Sequence, residues 1–145
     1  MCLPRPQSVE APFPFPNTRS EGAIIDITHI KKDARVYKIV WDQGRVEELS
    51  KELGYEGEPH AICHHIERVI YLAPKPHRSI VAVIETLTHE VLHICEPFVG
   101  RHMQHDYLDA LALNLVGCLV NCGLINPSGI TIAGMTEEML AAQAE

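Results

Sequence analysis

Residues 79–95, SIVAVIETLTHEVLHIC, form an apolar run into which polar groups intrude at helical spacing. Ser79 is placed to cap a helix that runs to about Cys95, where Pro97 and Gly100 stop it. Within that helix His89 and His93 stand at i and i+4, so both imidazoles leave one face a turn apart. The spacing suits two ligands of one tetrahedral zinc ion, with Glu90 beside them as general base. Glu85 extends the polar stripe one turn back. Left without a ligand on a buried helix, such a stripe would cost several kcal/mol of unsatisfied polar burial. The plainer reading is an exposed His/Glu face. The uncharged positions within and around the motif speak against it.

A catalytic zinc takes three protein ligands and keeps a fourth position open. A third histidine six residues after the second would mark a metzincin. That position is Val99, which excludes the class. The candidates are His102, His105, Asp106 and Asp109, at the start of a second long helix over about 104–122 that ends at Gly123. Its apolar stripe is Leu108, Leu111, Ala112, Leu115 and Leu119. Extended backwards, the stripe brings His105 near its rim and leaves Asp106 on the far side. Asp109 lies one turn beyond His105 on the same flank. His105 is therefore the favoured third ligand. Asp109 is either a carboxylate partner of a ligating imidazole, a role open to Glu85 as well, or the ligand itself.

Outward from this core, 23–30 and 35–41 are rich in β-branched and aromatic residues and read as strands. Val46, Leu49 and Leu53 make 43–53 a short amphipathic helix, which Gly54 and Gly57 end. A second β region covers 61–72, best at Arg68–Leu72, before Pro74 and Pro76 break it. Asn126–Gly129 is a turn, and Thr136 caps a short terminal helix. Residues 1–22 carry Pro4, Pro6, Pro12, Pro14 and Pro16 and read as an extended or disordered arm. The domain proper spans 23–126, with a turn and short helix over 127–145. The order β, α, β, then two long helices predicts an α+β fold, a small mixed sheet packed on the histidine-bearing helix and its successor.

The 145 residues suffice for one domain, and 46% apolar with 21% charged residues is ordinary for a globular chain. A formal net charge of −7 argues against broad capture of nucleic acid, so none is expected as a partner. No apolar run reaches the roughly 18–20 residues of a membrane span. The five cysteines are odd in number, and Cys95, Cys118 and Cys122 sit in apolar helical sequence. With no apolar leader at the N-terminus, the expectation is a reduced, intracellular, cytoplasmic protein.

The run Glu85–His93, followed by a short loop and His105-Asp106-Tyr107-Leu108-Asp109, resembles the minimal zincin-fold metallopeptidases, including small phage-encoded and prophage proteins. His105-Asp106 before an apolar helix is also similar to the HDxxF pattern of the WLM and SprT-like proteases, whose third zinc ligand is that histidine. In the gluzincin branch the third ligand is a glutamate with an acidic residue four later; His105 and Asp109 keep the spacing without the glutamate. The match covers roughly 60–125, and only HExxH is highly specific. The resemblance implies a zincin-like fold, one Zn2+ and hydrolysis of a peptide or protein substrate by a zinc-activated water, with Glu90 moving the proton. An oxyanion donor would come from Arg101, His102 or Tyr107. Arg68–Leu72 would offer an edge to an extended peptide.

Two other chemistries stand beside this one. A zincin-fold module could bind zinc for interaction or regulation with little peptidase activity. A zinc amidase or peptidoglycan endopeptidase would need export or phage lysis, and no wall-binding repeat is present. Cys63-His64-His65-Ile66-Glu67 could hold a second metal, although neighbours on a strand point to opposite faces. Cys2 invites comparison with a thiolate that caps a zinc, but the matrixin pattern is absent. Trp41 reads as core or sheet surface.

Overall fold

The computed structural model describes residues 25–99, 103–132 and 135. The proline-rich arm, Gly100, Arg101, His102 and the Thr136 cap lie outside them. The elements are β1 (Ile25–Ile27), β2 (His29–Lys32), β3 (Arg35–Trp41), α1 (Gln43–Leu53), β4 (Ala61–His64), β5 (Val69–Leu72), α2 (Ile80–Val99), α3 (His105–Asn121), a 3-10 turn at Pro127–Gly129 and β6 (Ile130–Ile132). The chain is α+β, with a mixed four-stranded sheet in the order β2-β3-β5-β4. β3 and β5 run parallel, and both outer strands are antiparallel to their neighbours.

Three expectations about the strands and α2 change. The strand read at 23–30 divides at Thr28: β2 joins the main sheet, whereas β1 pairs in parallel with β6, Ile25 opposite Ile130 and Ile27 opposite Ile132. Helix α2 does not stop at Cys95 but carries Pro97 inside its last turn. Proline there forfeits one backbone hydrogen bond, and the helix closes two residues later, so little regular structure is lost. Segment 68–72 is not an edge, because β3 occupies one side of β5 and β4 the other. The edge on this side of the sheet is β4.

Local chemistry explains the helix starts. Asp42 is extended and its Oδ1 accepts the Arg45 N–H at 3.0 Å, which caps α1; Gly54 ends it at φ 73, where a side chain would be strained. Ser79 caps α2 as expected, its Oγ accepting the Ala82 N–H at 3.1 Å. Ahead of it, His77 ties the loop to the helix through Ala73 O at 2.6 Å and Thr86 Oγ1 at 2.8 Å. Burial holds the His77 imidazole below its usual pKa, so it serves here as a neutral bridge. Trp41 packs at the rim of the core and meets the His77 ring edge-on, with centroids 5.9 Å apart.

The alternation in the strands sets the layers. Tyr37, Ile39, Ile70 and Leu72 point to one face and meet Val83, Leu87 and Ile94 of α2, with Ile132 from β6. On the opposite face Val46 and Leu49 of α1 cover Ile62 and Ala73. Helix α3 packs on α2 through a narrower stripe than expected: Leu108, Ala112 and Val116 are buried, whereas Leu115 is exposed. The ladder of Ile70 and Leu72, both fully enclosed, anchors α2 to the sheet. Truncation at its centre leaves a cavity that rigid neighbours cannot fill. Leu72→Ala is expected to lower the unfolding free energy in urea by about 3 kcal/mol; a loss under 1 kcal/mol would mean that the α2–sheet seam is not the main core.

Candidate metal centre

Helix α2 presents two faces. Its apolar face is held by the sheet, so its polar face, with Glu85, His89 and His93, is turned into a cleft of about 1370 Å3 bounded by β4, the α1–β4 connection and α3. The His89 and His93 Nε2 atoms lie 3.0 Å apart. His105, at the first position of α3, completes a triangle: its ring centroid is 5.3 Å from that of His89 and 4.9 Å from that of His93. One ligand atom from each of the three lies within 4.8 Å of the others. Three histidines are thus close enough to hold one metal ion, and among the described residues no other group of this kind forms.

The outer nitrogens decide what this cluster can do. His93 Nδ1 lies 2.8 Å from Glu96 Oε1 in a hydrogen bond. His89 Nδ1 lies 2.8 Å from Asp109 Oδ1, a contact with the length of a hydrogen bond but not its alignment. A carboxylate at each Nδ1 favours the proton there and leaves the Nε2 lone pairs to face one another. Two lone pairs at that separation repel unless a proton or a cation lies between them. Four-coordinate geometry with metal–nitrogen bonds of ~2.0–2.1 Å would set the nitrogens about 3.3 Å apart, a small opening from the present gap. Burial lowers the pKa of both imidazoles, with their carboxylate partners opposing, so the neutral, ligating form is favoured. The donor set fits a divalent cation that accepts nitrogen.

Glu90 sits beside the triangle and lines the same cleft. It is 6% exposed and is the one charged side chain among the buried described residues. Burial pushes its carboxyl up to about 8; the Cys63 backbone N–H opposes the shift and Asp109 reinforces it. Cys63, on β4, is itself pushed up to about 12 by burial and by the Glu90 charge, so its thiol stays protonated. The second metal cluster considered at 63–67 does not assemble. Glu67 is taken by Arg45 and Tyr71, and His64 Nδ1 accepts the Glu67 N–H.

The other sequence candidates fall as follows. Asp109 lines the cleft as the carboxylate beside His89, whereas Asp106 lies in the first turn of α3, exposed and away from the lining. Glu85 lines the cleft one turn before His89, but the carboxylates that reach the imidazoles are Asp109 and Glu96. Tyr107 is 59% exposed and does not line the cleft. Two residues were not anticipated. Glu96 had a readable signal, since it stands three positions after His93 on one helix. Tyr55 had none: its hydroxyl reaches His105 Nε2 at 3.2 Å across fifty positions of sequence. No helix among the described residues is long and apolar enough to cross a membrane.

Comparison of the chain with family models, with curated proteins and with solved structures returns no match.

Proposed function

We propose that this protein is a zinc-dependent metallopeptidase of minimal zincin-like design. The observation that carries the reading is the pair of Nε2 atoms 3.0 Å apart, each imidazole backed by a carboxylate, with His105 closing the triangle and Glu90 buried beside it. Zinc is the choice because three imidazoles with one position open is a common catalytic zinc set. Bound there, zinc would lower the pKa of a coordinated water toward ~7 and polarise a carbonyl oxygen.

The chain's own residues supply the rest. Glu90, buried beside the triangle, takes the proton of the attacking water on its carboxylate and passes it to the leaving amine. The Tyr55 hydroxyl, already within reach of His105, donates to the oxygen of the scissile carbonyl. The outer edge of β4, pairing with β5 alone among the described strands, offers backbone groups to an extended peptide along the cleft.

The test is zinc content and peptide hydrolysis on one preparation. Chelation should abolish turnover and one equivalent of zinc should restore it. A ligand at a hundred times its Kd adds about 2.7 kcal/mol to the folded state, so zinc should also raise Tm measurably. Turnover that survives full removal of metal would overturn the reading. Full zinc occupancy with no turnover across a broad peptide library would instead assign a zinc-binding interaction module.

A further inference from the structure

The cleft is charged in opposite senses at its two ends. β3 and β5 run parallel, and the Lys38 N–H donates to Arg68 O at 3.0 Å, so Arg35 and Arg68 stand at the same end of the sheet. Helix α2 finishes there, since the Arg35 guanidinium lies 5.6 Å from the Phe98 ring. Both arginines are exposed and both line the cleft. The other end is acidic. Glu56 and Glu58 lie on the α1–β4 connection, just before His60, whose carbonyl accepts the Ala73 N–H at 2.9 Å beyond the end of β5. Glu85 lines the same end from the first half of α2. The histidine triangle lies between the two ends. Glu96 stands toward the basic end, but it is engaged with His93.

We propose that the cleft selects extended peptides carrying an acidic residue N-terminal and a basic residue C-terminal to the bond at the metal. The proposal rests on the metallopeptidase reading for the position of that bond. Direction follows from strand pairing. A peptide added to β4 is better bonded when antiparallel. β4 runs from Ala61, opposite Leu72, to His64, opposite Val69, so the N-terminal half of an antiparallel peptide lies toward Arg68 and Arg35. Its C-terminal half lies toward Glu58, Glu56 and Glu85. Charges on exposed side chains contribute modestly one at a time, and like-charge juxtaposition adds to the discrimination.

Two fluorescent peptide series separate the possibilities, one with Glu N-terminal and Lys C-terminal to a shared central segment, the other with the charges exchanged. Binding is read by anisotropy on zinc-loaded Glu90→Gln, and cleavage is read on the wild type. The first series should bind roughly tenfold more tightly and be cleaved with roughly tenfold higher kcat/KM, with the gap narrowing in high salt. Arg35→Glu with Arg68→Glu should erase or reverse the preference; both residues are exposed, so folding is expected to survive, and a far-UV spectrum verifies it. Sorted binding without cleavage would keep this proposal and remove the peptidase. Cleavage indifferent to charge, or favouring the exchanged series, would overturn the proposal and keep the peptidase. Neither binding nor cleavage of either series would overturn both.

Discussion

Glu90→Gln is expected to reduce peptide hydrolysis by about 10³-fold or more while the protein keeps its zinc. General acid–base catalysis contributes ~10²–10⁴-fold, and in the proposed mechanism one carboxyl would carry both proton transfers. The substitution is nearly isosteric and leaves all three imidazoles untouched, so metal content should stay at the wild-type level. Stability supplies a second readout. In the metal-free protein burial raises the Glu90 pKa from 4.5 to about 8. Between those values the folded state holds a proton that the unfolded state has released. Metal-free wild type should therefore lose stability as pH rises through that window, by up to several kcal/mol in all. The glutamine side chain does not titrate, so the variant should lack that decline and unfold at an equal or higher temperature near pH 8. Unchanged kcat with zinc bound would exclude Glu90 as the base. Loss of zinc together with activity would show that the carboxylate supports the metal.

The parts of this architecture that could be read from sequence are those whose signal is local. Ser79 caps α2, Gly54 ends α1, and the i, i+4 histidines share a face because a helix repeats every 3.6 residues. His105 could be placed by extending the apolar stripe of α3 backwards from Leu108, and of that stripe Leu108 and Ala112 are buried. The parts that escaped depend on distant pairing. β6 is three residues long, too short to alternate visibly, and its partner lies at the other end of the chain; the Thr131 hydroxyl meets Asp26 Oδ1 105 positions away. Whether β5 is central or an edge depends on β3 pairing with it in parallel, a choice that no residue in 68–72 announces. Tyr55 belongs to the same class, since its phenol finds His105 only once the α1–β4 connection meets the start of α3. Leu115 misled for a different reason: the contact between α3 and α2 is narrower than the apolar stripe on α3.

His105→Ala should abolish tight zinc binding while leaving the fold intact. His105 is exposed at the first position of α3, and the buried residues that hold this helix begin at Leu108. The missing imidazole should therefore be felt in metal affinity and not in the core. With two nitrogens left, zinc should dialyse away under conditions where the wild type retains it, and the Tm increment from added zinc should vanish. Asp109→Asn probes the neighbouring role. Its carboxylate reaches His89 from a side chain that is 71% exposed, so in the proposed site it would orient and polarise a ligand without being required for coordination. Loss of such a partner typically costs 10–100-fold in metal affinity, so this variant should still fill at saturating zinc. The opposite ranking, full zinc in His105→Ala and little in Asp109→Ala, would make Asp109 the third ligand. In that case α3 would supply the metal through a carboxylate one turn further along, and His105 would be left as a partner of Tyr55.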